Sequence, residues 1–302
     1  MTLEQLRIFV AVAACEHVTR AAESLRLTQS AVSAAISALE SRYNVSLFDR
    51  VGRRIELNES GRLFLGEARA VLARAAAAEL ALSEMSGLKR GTLSVYASQT
   101  IASYWLSPRL VAFREAYPQI EVKLAVGNTA QTAKAIIDGA AELGFVEGRV
   151  DDAALQQRPI DQDRLTIVAG AGHPWAKKKT LTKQDLLAGD WVLRESGSGT
   201  RSEFEAALAS QGVPIDKLKI VLELPTNEAV RAAIEAGAGV TAISELVVEA
   251  GLRAGTLMAL AFPLPARPFL VLHHRDRYQS KAALAFLEII AKFADERPAR
   301  SA

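Results

Sequence analysis

The 302-residue sequence predicts an α/β protein with an α-rich N-terminal part. Three observations lead there. Residues 1 to about 60 place apolar side chains at helical spacing and end in two short strand-like pieces. A proline-free, alanine-rich stretch from Gly61 to Met85 then repeats apolar residues at alternating steps of four and three. Beyond Gly91, short β-rich runs alternate with helical stretches, the pattern of βαβ units and parallel sheets.

The first helix, 3 to 14, has a capping box in Thr2 and Gln5 and one apolar face in Leu3, Leu6, Phe9, Val10 and Ala13. The same run, "IFVAVAAC", ends like a lipoprotein cleavage site at Cys15, and an exported solute-binding protein is the alternative it raises. Glu4 beside Arg7 and the shortness of the run weigh against export. On the helical reading Cys15 is a small buried hydrophobe, and a single cysteine excludes an intrachain disulfide and fits a reducing compartment.

A second helix covers about 18 to 25 and a third 28 to 42. In the third, Thr28 caps a face of Val32, Ile36, Leu39 and Tyr43, leaving Gln29, Ser30, Ser33, Ala34 and Ser37 opposite. "SLFDR" and "RIELN" read as strands joined by Val51-Gly52-Arg53, with Gly52 setting the turn. In the long helix, Phe64, Ala68, Val71, Ala75, Ala78, Leu82 and Met85 form a coiled-coil seam of three heptads. Such a seam wants a partner helix; packing on its own domain is the alternative. "SGLKRG" (86 to 91) ends it.

The remaining chain exceeds one comfortable sheet and predicts two lobes, crossing near Pro159 and returning near Pro263 to Pro268. The expected division is 1–60 for the first domain, 61–87 for the linker helix and 91–302 for the α/β domain. Within the last, lobe I takes 91–161 and 267–302, and lobe II takes 162–266. Ligands of open α/β folds bind beyond the C-terminal ends of strands, here between the lobes. Three strand ends carry polar chemistry: Ser98-Gln99-Thr100; Asn128-Thr129, with Glu147 ending a further strand; and "RESGSGTR". In the last, Glu195, Ser196, Gly197, Ser198, Gly199 and Thr200 lead into a helix start that aims N–H groups at one point, and Arg201 can add a full charge. That is an oxyanion signal, although the glycines could serve the turn alone. Glu147 and Glu195 oppose an anion unless it carries a proton.

Enzyme signatures are missing: no P-loop, H-E-x-x-H or G-x-S-x-G occurs, the four histidines show no metal-ligand spacing with Cys15, and neither a metal nor a cofactor is expected. No run of eighteen apolar residues exists, so no membrane partner is expected. Net charge is only +2, and residues 1–60 hold seven arginines against seven carboxylates, so any contact with nucleic acid must come from local placement.

"TRAAESLRLTQSAVSAAISALESRYN" and "LFDRVGRRIELNESGRLFL" resemble the winged helix-turn-helix of LysR-type transcriptional regulators, and "AFREAYPQIEV" and "AAIEAGAGVTAIS" resemble that family's effector-binding domain. The resemblance implies a winged helix-turn-helix, a long linker helix and a two-lobed effector domain like that of periplasmic binding proteins. It implies a cytoplasmic regulator, an activator by expectation, that works with double-stranded DNA, RNA polymerase and a small anionic effector, as a homodimer assembling to a homotetramer. Thr19, Arg20, Arg26, Thr28, Gln29, Ser30, Ser33, Arg50, Arg53 and Arg54 are then the DNA contacts. Family members usually carry Arg, Gln or His near Ala34 and a basic residue near Ser37; this chain departs from that, so base reading falls to Gln29 and small side chains. Ser98-Gln99-Thr100, "FVEG" and "RESGSGTR" resemble the branches tuned to sulfur oxyanions and Calvin-cycle metabolites. The expected effector is accordingly an oxyanion such as sulfite, or alternatively a phosphorylated metabolite.

Overall fold

The computed structural model describes residues 1–51, 54–85, 91–178 and 180–295. The chain divides into two compact units, Met1–Leu88 with Ile137–Ala140, and Lys89–Ile136 with Ala141–Ala302.

In the N-terminal unit, α1 (Leu3–Cys15), α2 (Val18–Leu25) and α3 (Gln29–Tyr43) precede a hairpin of β1 (Phe48–Val51) and β2 (Arg54–Leu57), then α4 (Glu59–Met85). The capping box forms: Gln5 N donates to Thr2 Oγ1 at 3.1 Å and Thr2 N to Gln5 Oε1 at 3.0 Å. α1, α2 and α3 each end on a left-handed residue that is not glycine, Glu16, Arg26 and Asn44 at φ 46°, 57° and 50°. Thr28 Oγ1 accepts from Ala31 N at 3.2 Å, which starts α3. Leu6, Phe9, Val12, Val32, Ile36 and Leu39 make the core, each buried side chain contributing about 1.5–3 kcal/mol. Phe9 stacks at 5.5 Å on Phe48 and 4.9 Å on Phe64, tying the hairpin and α4 to α1. Gly61 is required because a Cβ there would lie 2.1 Å from the Leu47 carbonyl oxygen.

The C-terminal unit runs β3 (Gly91–Ser98), a π turn (Ile101–Leu106) continuing into α5 (Ser107–Ala116), β4 (Ile120–Gly127), α6 (Thr129–Asp138), β5 (Leu143–Glu147) and β6 (Leu155–Gly170). It continues with α7 (Lys183–Ala188), β7 (Asp190–Arg194), α8 (Gly199–Ser210), β8 (Lys219–Leu224), α9 (Asn227–Glu235), β9 (Val240–Ser244), α10 (Glu245–Ala254), β10 (Leu257–Leu260), β11 (Ala266–His274) and α11 (Lys281–Asp295). The strand order is β4-β3-β5-β11-β6-β9-β7-β8, with β10 also on β6.

The sheets are mixed where the βαβ pattern predicts parallel ones. β3 lies parallel to β4 and β5, and β7 to β8 and β9, but β11 runs antiparallel to β5 and β6, and β6 antiparallel to β9 and β10. The reason is topological: β6 and β11 carry the chain between lobes in opposite directions. β6 passes through Pro159 unbroken and changes partner between Arg164, opposite Ala266, and Leu165, opposite Ser244. Pro159 cannot donate to the ladder, and the register shifts there, between Phe269 and Leu270. One core gathers around Leu93, Val95, Phe113, Phe145, Phe269 and Phe286. The other lobe holds two, one around Trp191 and Phe204 and one around Val168, Val230 and Val248. The C-terminal ends of β3, β4, β5 and β7 meet between the lobes, where Asn128 bonds Glu195, Thr100 bonds Asn227 and Gly199 lies against Glu147.

Candidate functional sites

On the N-terminal unit, α3 buries Val32, Ile36 and Leu39 and leaves Thr28, Gln29, Ser30, Ser33, Ala34 and Ser37 exposed on its other side. Thr28 Oγ1 and Ser30 Oγ are 3.1 Å apart, and Thr28 is committed to the helix cap. Gln29, at the first turn of α3, is exposed. Arg20, Arg26, Arg50 and Arg54 are exposed and Thr19 is half-buried. Arg53 and the Gly52 turn lie outside the described residues.

Along α4 the apolar stripe splits. Phe64 and Ala68, which the heptad spacing assigns to a partner helix, pack instead into the core of their own unit, with Ala68 1 % exposed. Ala75 is half-buried, while Val71 and Leu82 are 42 % and 69 % exposed and Ala78 is also open. The side chain of Met85 lies outside the described residues. An apolar groove of about 460 Å³, walled by Met1, Tyr43, Val45 and Leu63, adjoins the start of α4. An unpartnered stripe beside an unfilled groove is suited to another helix.

In the cleft, α8 begins against lobe I. Gly199 brings it there: a Cβ on Gly199 would stand 2.5 Å from Thr129 Oγ1 and 2.6 Å from the Glu147 carbonyl oxygen. Gly197 serves the turn, at φ +85°, and its carbonyl accepts from Ala130 N at 3.2 Å. Ser198 is the N-cap residue and is buried, yet its side chain makes no capping bond. The first N–H groups of α8 are left for another acceptor. Ser98 and Glu147, at the ends of β3 and β5, are 3 % and 2 % exposed, and Ser98 Oγ and Glu147 Oε1 have no hydrogen-bond partner among the described residues. Ser196 is exposed.

Five sequence-derived contacts, Arg201, Gln99, Thr100, Thr129 and Asn128, are spent on protein rather than left for a ligand. Arg201 turns away and pairs with Glu205 at 2.8 Å and with Glu223, so it adds no free charge to the anion site. Gln99 Oε1 accepts from Asn227 N at 2.9 Å, and Thr100 Oγ1 accepts from Asn227 Nδ2 at 3.0 Å. Thr129 Oγ1 donates to the Glu147 carbonyl at 3.3 Å. Asn128 donates through Nδ2 to Glu195 Oε1 at 3.1 Å, one more bond from lobe I to lobe II.

Five residues the sequence reading misses, Arg194, Asn227, Arg267, Asp163 and Ser244, organise these bonds. Arg194, 5 % exposed, grips Glu195 through Nε at 2.7 Å and Nη2 at 2.9 Å and donates to Asn227 Oδ1 at 2.5 Å. Arg267 donates to Asp163 Oδ2 at 2.9 and 2.6 Å and to Thr200 Oγ1 at 3.2 Å, and Ser244 donates to Asp163 Oδ1 at 2.9 Å. A lone arginine inside the apolar run "ARPFLVL" and the Thr-Asn helix start after "LELP" were the available signals. Glu203, one turn along α8, has its carboxyl pushed up by burial, opposed by Arg267 and reinforced by Glu147. Among the described residues no helix is long and apolar enough to cross a membrane, and no cluster of metal ligands occurs.

Comparison with known proteins matches residues 3–62 to the model of the bacterial regulatory helix-turn-helix protein, lysR family, and residues 86–295 to that of the LysR substrate binding domain. An uncharacterized HTH-type transcriptional regulator, YeiE of Escherichia coli, is 37 % identical over 290 residues, 95 % of this chain and 96 % of that one. A probable RuBisCO transcriptional regulator of Trichormus variabilis is 33 % identical over 299 residues, 97 % of this chain and 89 % of that one. The regulatory domain of Synechocystis CcmR, solved in complex with 2-PG, superposes with a TM-score of 0.63 at 26 % identity, covering 70 % of this chain and all (100 %) of that domain.

Proposed function

The chain belongs to the LysR family of transcriptional regulators, and from that premise we propose that it is a cytoplasmic activator whose DNA affinity is set by a small oxyanion held between its lobes. The observation that carries the reading is the uncapped start of α8, lying against the Glu147 end of β5, together with the buried, unpartnered Ser98 hydroxyl at the end of the neighbouring β3. A helix N-terminus favours negative charge, and several N–H groups there have no intrahelical acceptor. Ligand groups from both lobes are required, because a ligand shifts an equilibrium only by its difference in affinity for the two arrangements. Sulfite fits as a small pyramidal oxyanion. The contacts are Ser98 from lobe I, Ser198 and the α8 N–H groups from lobe II, with Gln99, Thr100 and Asn128 closing the lobes around them.

On the DNA side, Gln29, Ser30 and Ser33 read bases while Arg20, Arg26, Arg50, Arg53 and Arg54 hold phosphates. The open half of the α4 stripe pairs with its copy in a second chain, and two dimers assemble as a tetramer. RNA polymerase is the downstream partner.

A second reading, a phosphorylated metabolite in the same cleft, draws on the CcmR domain solved with 2-PG. Isothermal titration of the full chain separates the two. Heat with sulfite, abolished by Ser98→Ala and Ser198→Ala, supports the first reading. Heat with 2-PG and none with sulfite replaces it with the second.

A further inference from the structure

The proposed pocket is unusually acidic for an anion site. Glu147 ends β5 with Oε1 buried and unpartnered among the described residues, and α8 lies directly on it, a Cβ on Gly199 falling 3.2 Å from Glu147 Cβ. Glu203 from α8 feels both Glu147 and Arg267 from β11; Arg267 pairs with Asp163 from β6, and Arg194 pairs with Glu195 where β7 ends. The two buried arginines are already committed, Arg267 to Asp163 and Thr200, Arg194 to Glu195 and Asn227. Among the described residues, neither of these two arginines is left over to offset Glu147 against an incoming anion. A carboxylate oxygen accepts hydrogen bonds, whereas the Ser98 hydroxyl and the α8 N–H groups can donate.

A ligand that fills this place must present acceptors to one side and a donor to the other. We propose that the cleft takes its oxyanion with one proton still attached, and that Glu147 recognises that O–H. The inference rests on the oxyanion reading above and deepens it: Glu147 is the specificity determinant that admits a hydrogen-bearing anion such as hydrogensulfite and refuses a fully ionised one such as sulfate. A buried acceptor facing a ligand oxygen without a proton would be left unpaired beside like charge, and sites built around a hydrogen bond reject analogues that lack it steeply.

Calorimetric titration of the full chain with sulfite and with sulfate from pH 6 to 8.5 tests this. Sulfite affinity should fall as the anion loses its proton, approaching about tenfold per pH unit, and sulfate should bind at least about 100-fold more weakly throughout. Glu147→Gln puts an amide donor in the same volume, so sulfate should gain affinity and the pH slope for sulfite should flatten. Glu203→Gln should keep both the slope and the preference. Sulfate binding the unaltered chain as tightly as sulfite, or a slope lost in Glu203→Gln and retained in Glu147→Gln, overturns the proposal while leaving an oxyanion site in place. If neither anion binds the unaltered chain or the isosteric Glu147→Gln variant, the oxyanion reading itself falls and takes the proposal with it.

Discussion

Single side chains decide what each half of the molecule can recognise. Gln29 is an uncharged residue at the start of an exposed helical face, able to pair with adenine through two hydrogen bonds. Gln29→Ala should cost about 1–3 kcal/mol at one base pair and relax specificity there, whereas Arg54→Ala should weaken all sequences alike. Titrations against single-base operator variants at several salt concentrations check this; an equal loss at every site removes Gln29 from base reading. In the cleft, the carboxyl of Glu203, pushed above its ordinary pKa by burial, makes a stability prediction whose sign follows from linkage. Its proton favours the folded chain, a contribution fully present below the ordinary carboxylate range and lost as pH rises through the raised folded value. Glu203→Gln, which mimics the protonated acid, should therefore melt with the unaltered chain in acid and above it near neutrality. A melting difference that does not change with pH contradicts the assignment. The Asp163–Arg267 pair, 2 % and 1 % exposed at the side chains, sits in the same wall. Asp163→Ala leaves a buried guanidinium uncompensated and should cost about 3–5 kcal/mol in urea unfolding.

Elements were legible wherever periodicity was long or caps were explicit, and less so where a partner decides their use. The Thr2 and Thr28 caps, the three short helices and the hairpin stand where spacing places them because each has its own core face and its own start signal. The strand ends of the cleft were legible for the same reason, since Gly-Ser-Gly-Thr can be read as a turn into a helix without knowing the rest. Strand direction was not: β6 and β11 run against their neighbours because of the path between lobes, which no local pattern records. Nor could spacing show that Arg201 has two carboxylates of its own lobe to satisfy it, or that Asn227 claims Gln99 and Thr100. The α4 stripe teaches the same lesson, since heptad spacing cannot say which knobs fill holes in the same chain. Its two halves make a test. Val71→Glu should split the dimer and leave the fold intact, while Ala68→Glu, placing charge in a core, should unfold the N-terminal unit. Sedimentation and circular dichroism check both; an unchanged mass for Val71→Glu would mean that the exposed stripe has no partner.

For the molecule as a whole, regulation requires that the ligand in one unit alter the DNA bound by the other, and on the proposed reading the bonds joining the lobes are the contacts whose making and breaking carries it. Arg194 anchors both arms of the closure, Glu195 to Asn128 and Asn227 to Thr100. A ligand at the start of α8 adds contacts only when the lobes are together, and coupling of this kind is typically about 1–3 kcal/mol, or 5–150-fold in affinity. The most direct measurement selects the preferred DNA of the full chain from a random-sequence pool and titrates it, with footprinting, in the absence and presence of sulfite. Sulfite should change the affinity by about 5-fold or more and alter the protected length, and Ser198→Ala should erase the difference. Sequence-specific binding with superimposable isotherms and footprints at saturating sulfite would contradict the account.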